Sequence, residues 1–97
     1  MIKILIADAH PIVRMGLSMV VNSAEEFQLQ DAVATTTQLF TAVEKQTPDI
    51  VILEMDIPEI NGIATVRKLK EINPNIKARK IRIYNVVYLF FLWIFFS

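Results

Sequence analysis

The fold class this chain predicts is α/β, a parallel sheet with helices on both faces. Three observations carry that expectation. Short isoleucine-rich apolar runs alternate with segments of helical spacing. The order is strand, helix, strand, helix, strand, helix, which implies right-handed crossovers and a sheet covered on both sides. Two of the apolar runs end on an acid, Asp8 and Glu54.

Each element has its own signal. Ile2 to Ala7 is apolar except for Lys3 and suits a strand buried on both faces. Pro11 fits the first turn of a helix, and apolar residues at 12, 13, 17, 20 and 21 continue it until Asn22-Ser23. Phe27, Leu29 and Ala32-Val33-Ala34 read as a second strand. Thr35-Thr36-Thr37 supplies N-cap candidates. Leu39, Phe40 and Val43 then form one helical stripe that Pro48 stops. Asp49 leads into a third strand, Ile50 to Leu53. Asn61 is positioned to cap a third helix with the stripe Ile63, Val66, Leu69 and Ile72. Asn73-Pro74-Asn75 ends it, because a residue before proline is pushed out of helical geometry. A fourth strand could start within residues 77–83.

Ninety-seven residues allow one small domain. Apolar residues make up 54% of the chain, a high share for a soluble domain. Without cysteine there is neither a disulfide framework nor a thiolate metal site, and a single histidine excludes His-rich zinc sites. The N-terminus meets an acid after a very short apolar run, so no signal peptide is expected and the expected location is the cytoplasm. Through residue 77 there are seven basic and ten acidic side chains. That balance argues against a nucleic-acid surface there. Residues 78–97 hold Arg79, Lys80 and Arg82 and no acid.

In open parallel sheets, ligands bind outside the carboxyl ends of the strands. Asp8 and Glu54 both fall at such ends, so two carboxylates should share one crevice. No phosphate-cradling glycine loop or nucleophile–base pair accompanies them, and no enzyme activity is expected.

Several short strings share one pattern: Ala7-Asp8-Ala9-His10-Pro11, Arg14-Met15-Gly16-Leu17, Pro48-Asp49-Ile50-Val51-Ile52-Leu53, and Pro58 with Gly62. In this order and spacing, over residues 2 to about 77, the chain resembles the receiver domain of two-component response regulators. The details are similar to the subclass that carries a LuxR/NarL-type DNA-binding domain. The resemblance implies a flavodoxin-like sheet and a phosphorelay function. It implies a magnesium site built from an acid pair after strand one, an acceptor aspartate after strand three, and a backbone carbonyl two residues on. A threonine or serine after strand four and a lysine after strand five would complete it.

Carried onto this sequence, the first acid is Asp8 and the second is Ala9. The acceptor position is Glu54, and the carbonyl position is Asp56. The threonine/serine and lysine positions cannot be placed. Glutamate adds one methylene, which moves its carboxylate outward by about 1–1.5 Å, and misplacement of about 1 Å at a reacting centre can cost about a hundredfold. Magnesium held by Asp8, Glu54 and the Asp56 carbonyl is expected to be weak if it binds at all, and phosphotransfer lost or vestigial. Glu54 could instead mimic the charge of an aspartyl phosphate. Drift is the reading adopted, because Ala9 and the C-terminal segment also depart from the pattern.

Residues 1–77 are therefore read as a receiver-like domain and 78–97 as a divergent basic-then-apolar tail. Val86 to Phe96 is an unbroken apolar run of eleven. Even about sixteen residues, counted from Ile81, fall short of the roughly 17–25 needed to span a bilayer, so a membrane partner is not expected. An interfacial anchor and an out-of-frame end both fit the tail, and the second is adopted. His10 is read as a loop residue, Lys68 and Lys70 as a solvated helix face, and Met15 and Met19 as core or rim filler. The expected protein is a truncated, chemically altered receiver. Its expected partners are a sensor histidine kinase or another response regulator. One alternative is a phosphate-independent interaction module using Ile12 to Leu17. The other is a small membrane-associated protein using residues 79–97. An uncovered apolar face would favour self-association.

Overall fold

The computed structural model describes residues 1–81. Seven elements follow in order: β1 (Ile2–Ala7), α1 (Pro11–Asn22), β2 (Phe27–Val33), α2 (Thr36–Lys45), β3 (Ile50–Glu54), α3 (Gly62–Ile72) and β4 (Lys77–Ile81). The alternation read from the sequence is present throughout, and a fourth strand does begin at Lys77. Most of the basic-then-apolar tail, residues 82–97, lies outside the described residues, and so do the readings placed on it. Among the described residues no helix is long and apolar enough to cross a membrane.

The sheet is parallel, in the order β2-β1-β3-β4. The chain first steps outward from β1 to β2, then returns past β1 to β3. Strand order therefore reverses between β1 and β3, which is where such sheets open a crevice at their carboxyl ends. The β1–β3 register runs from Ile4 opposite Ile50 to Ala7 opposite Leu53. Continued by one residue, it sets Asp8 beside Glu54.

Side chains alternate across the sheet. Leu5, Ala7, Val33, Val51 and Leu53 face α2 and α3, where Leu39, Ala42, Val43, Ile57, Leu69 and Ile76 complete the larger core. Ile4 and Ile6 face α1 and pack with Val21, Leu17, Phe27, Leu29, Ala32, Ile50 and Ile52. In β2 the apolar positions skip from 29 to 32. A register shift between Ile4 and Leu5 of β1 absorbs the extra residue, so that Ala32 still faces α1.

Two helical stripes differ from the sequence reading. In α3 the buried positions are Gly62, Thr65 and Leu69, while Ile63 is 62% exposed and Ile72 is also exposed. The helix is turned because Thr65 can hide its hydroxyl, which donates to the carbonyls of Ile60 (3.3 Å) and Asn61 (2.8 Å). In α1, Val13 and Val21 are buried, but Ile12 is 79% and Met15 60% exposed, and Met19 and Val20 are exposed as well. Met15 and Met19 are thus surface residues, not filler. The lysines of α3 are more engaged than a solvated face implies. Lys68 Nζ sits 4.4 Å from the centre of the Phe40 ring. Lys70 Nζ donates to the carbonyl of Ile76, tying the end of α3 to the approach of β4.

Candidate functional site: a buried carboxylate pair at the β1–β3 carboxyl edge

Asp8 is the first residue after β1, and its backbone N–H donates to the Val33 carbonyl of β2 at 2.9 Å. The side chain is fully buried. Oδ1 accepts the backbone N–H of His10 at 2.8 Å, closing a two-residue turn into α1. His10 Nδ1 lies 2.8 Å from the same oxygen and donates to it when that nitrogen carries the proton. Arg14 Nη1 donates to the Asp8 carbonyl at 2.9 Å. Asp8 is thus fixed by three groups from the start of α1. Its Oδ2 is buried and has no hydrogen-bond partner among the described residues.

Glu54 closes β3 and is 1% exposed. Oε1 accepts the backbone N–H of Asp56 at 3.3 Å. Oε2, like Asp8 Oδ2, is buried without a partner among the described residues. Burial is the largest effect on this carboxyl and raises its pKa above the ordinary glutamate value. The charges of Asp8 and Asp56 push the same way, while the Asp56 N–H and His10 oppose them. Two unpartnered buried carboxylate oxygens on adjacent strands call for a proton or a cation.

The β3–α3 loop that follows Glu54 is held at several points. Met55 N–H donates to the Ile81 carbonyl at 3.1 Å, and Gly62 N–H to the Met55 carbonyl at 3.1 Å. A Cβ at position 62 would lie 2.9 Å from Met55 Cα, so only glycine permits this approach. Asn61 caps α3 as expected, its side chain accepting the Ala64 N–H at 2.9 Å. Thr35 caps α2 through Gln38 N–H at 3.2 Å, and the Gln38 side chain in turn accepts the Ala34 N–H at 2.8 Å. Mid-loop, Thr36 Oγ1 donates to the Pro58 carbonyl at 3.2 Å. Glu59 takes a left-handed backbone with φ of 86°, which costs a non-glycine residue on the order of 1 kcal/mol or more. Its carboxylate accepts the Thr37 hydroxyl and the Thr37 backbone N–H.

Of the positions singled out by sequence, Asp8 and Glu54 come together. Asp56 contributes its backbone N–H to Glu54 and leaves its side chain exposed. Among the described residues, no three His, Asp or Glu side chains are grouped to hold a metal ion. Sequence reasoning missed two parts of this region. One is the His10 contact, which the Asp-x-His spacing before a helix start could have signalled. The other is the Thr37–Glu59 contact, for which 22 residues of separation left no local signal.

Comparison with known proteins fits this architecture. Residues 4–82 match the model of the response regulator receiver domain. The oxygen regulatory protein NreC of Staphylococcus carnosus is 31% identical over 84 residues, covering 86% of this chain and 39% of that protein. The nitrate/nitrite response regulator protein NarL of Escherichia coli is 29% identical over 68 residues, covering 70% of this chain and 32% of that protein. The chain thus spans about a third of the length of the curated relatives it matches. In fold it is similar to a LuxR-family two-component response regulator from Aurantimonas, with a TM-score of 0.76 at 22% identity, covering 82% of this chain and 57% of that one. With its β1–β3 acidic edge, parallel sheet order and matched sequence, the chain belongs to the receiver domain family of response regulators, of the NarL/LuxR type.

Proposed function

We propose that this chain is a phosphorelay receiver scaffold whose acceptor pocket no longer takes up phosphate as an aspartate site does. The observation that carries the reading is the state of Glu54. Its carboxyl is sealed from solvent, one oxygen is occupied by the Asp56 N–H, and burial biases it toward the neutral form. A carboxyl in that condition is a poor nucleophile toward a phosphoryl donor. Ala9 stands where the family places its second acid. Drift, rather than mimicry of a phosphoaspartate, remains the preferred account of Glu54.

Receiver domains bind Mg2+ at the site of phosphorylation. Asp8 Oδ2 and Glu54 Oε2 are hard oxygens without partners, and in that respect they fit such an ion. Asp8, Glu54 and the carbonyl of Asp56 would hold it, weakly, because no third side chain among the described residues joins them. When bound, Mg2+ neutralises negative charge in the pocket. The chain's own residues orient the pocket: His10 and Arg14 fix Asp8, and the Asp56 N–H fixes Glu54.

Receiver domains work with histidine kinases. In this reading the chain does so in the cytoplasm, without catalysis or nucleic-acid binding of its own. The deciding experiment is incubation with acetyl phosphate and Mg2+, read by intact mass. The parent chain is expected to show no adduct, and Glu54→Asp with Ala9→Asp to show one. A phosphoryl adduct on the parent would overturn the reading.

A second reading, a phosphate-independent docking module, is favoured by the exposed Ile12, Met15 and Met19 on α1. It predicts binding to a histidine kinase that survives Glu54→Gln and is lost in Ile12→Asp with Met15→Asp.

A further inference from the structure

We infer that Glu59 and Thr37 form a latch between the β3–α3 loop and α2 that positions the Asp56 amide against Glu54. Three observations combine. Glu59 is the one described non-glycine residue with a positive φ, and a glycine would adopt that backbone without strain. Its side chain returns something for that cost, because both carboxylate oxygens are engaged by Thr37, Oε2 by the hydroxyl and Oε1 by the backbone N–H at 3.4 Å. The recipient is the first turn of α2, which has no acid of its own, and a carboxylate is favoured there by the helix dipole. Thr36 adds a parallel tie, its hydroxyl donating to the Pro58 carbonyl.

The consequence for the pocket follows from the loop's short span. Asp56 lies between the Met55 anchor on Ile81 and the Pro58–Glu59 anchor on α2. Its N–H reaches Glu54 Oε1 at 3.3 Å, a long bond that tolerates little loop displacement. Fixing the loop on both sides keeps that N–H aimed. Glu59 and Thr37 are therefore positioning residues: they act on Glu54 through Asp56 and touch neither Asp8 nor Glu54 themselves. The inference deepens the reading of the acidic pocket. Its test uses no phosphate, metal or kinase, so its failure and the failure of that reading are separate results.

The test is amide hydrogen exchange, followed residue by residue in the parent, Thr37→Val, Thr37→Ser and Glu59→Gly. Loss of one hydrogen bond to the loop is expected to lower protection of the Asp56 amide about three- to tenfold in Thr37→Val. Thr37→Ser keeps the hydroxyl and is expected to restore the parent value. Glu59→Gly removes the strain together with the carboxylate, and is expected to lower Asp56 protection even where overall stability holds or rises. The Leu5 and Val51 amides, deep in β1 and β3, report global opening and should not share the loss. The latch is overturned by unchanged Asp56 protection in Thr37→Val or Glu59→Gly. It is equally overturned by a Thr37→Val loss that Leu5 and Val51 share in full, or by an Asp56 amide unprotected in the parent.

Discussion

The two faces of the sheet are built from the same strands but finished differently. On the side of α2 and α3, two helices meet Leu5, Ala7, Val51 and Leu53, and every one of these side chains is buried. On the side of α1, one helix among the described residues meets Ile4 and Ile6, while Ile50 and Ile52 are only half-buried. α1 itself turns Ile12, Met15 and Met19 outward. The closed face behaves as a core, and the open face carries apolar surface that the described residues do not cover. Exposed apolar side chains also occur on α3, at Ile63 and Ile72, so what separates the two faces is the strand residues: Val51 and Leu53 are sealed on one side, Ile50 and Ile52 half-buried on the other.

That contrast should be visible in stability. Leu69 and Leu39 are fully buried on the closed face, and Leu69→Ala or Leu39→Ala is expected to cost about 3–5 kcal/mol, enough to unfold a small domain. Ile52→Ala on the open face should cost roughly 1–2 kcal/mol, because part of its surface is already in water. Urea midpoints measured side by side decide the matter. Equal losses would mean that the open face is covered in solution.

The next effect belongs to the pocket, and its sign is fixed by Glu54. The folded-state pKa of Glu54 is raised, so the folded chain binds a proton more tightly than the unfolded chain. Stability then falls as pH rises from the ordinary glutamate value through the raised one. Glu54→Gln removes that loss. It should make the protein more stable than the parent at neutral pH, by about 1 kcal/mol or more, since a buried charged acceptor without a partner is costly. The difference should vanish in acid, where parent Glu54 is protonated. Glu59 works in the opposite direction: the Thr37 hydroxyl lowers its pKa, so its contribution is present above the unfolded value and lost as pH falls through the folded one. Thermal melts of parent, Glu54→Gln and Glu59→Gln across the acid range separate the two trends.

Helix starts offer a smaller test. α3 is capped by the Asn61 side chain, whereas α1 begins at His10 with no side-chain cap bond. Asn61→Ala should cost about 1 kcal/mol. His10→Ala loses only a half-exposed contact with Asp8 and should cost roughly 0.5 kcal/mol or less.

What the sequence made legible, and what it did not, follows the same physical division. β1 was readable to the residue because the part of a strand buried on both faces, Ile4 to Ala7, must be apolar, and the Asp8 that ends it is therefore conspicuous. The Asn61 cap was readable because capping is a local rule. The juxtaposition of Asp8 and Glu54 followed from topology alone. The buried face of α3 was not readable, because Thr65 is polar and is hidden only by back-bonding to carbonyls it meets in the folded turn. Nor was the backbone of Glu59, since nothing local to a glutamate announces a left-handed φ, and the Thr37 that holds it belongs to another helix. Local rules, and the apolar runs of doubly buried strands, survive in the sequence. Polar contacts between distant segments do not.

The smallest expected effect probes the open face directly. Met15→Gln with Met19→Gln changes two exposed side chains on α1, and surface changes of this kind usually stay within about 0.5 kcal/mol. At low protein concentration the urea midpoint of the double variant should therefore match the parent. At high concentration they should separate if the exposed apolar surface of α1 brings two copies together, because association stabilises by mass action and makes the midpoint depend on concentration. A parent midpoint that rises with concentration while the variant's stays fixed assigns self-association to α1. Midpoints that rise together place the contact elsewhere. Midpoints that are flat for both mean that α1 can carry this much apolar surface in water, the larger core on the far side of the sheet being sufficient to hold the fold.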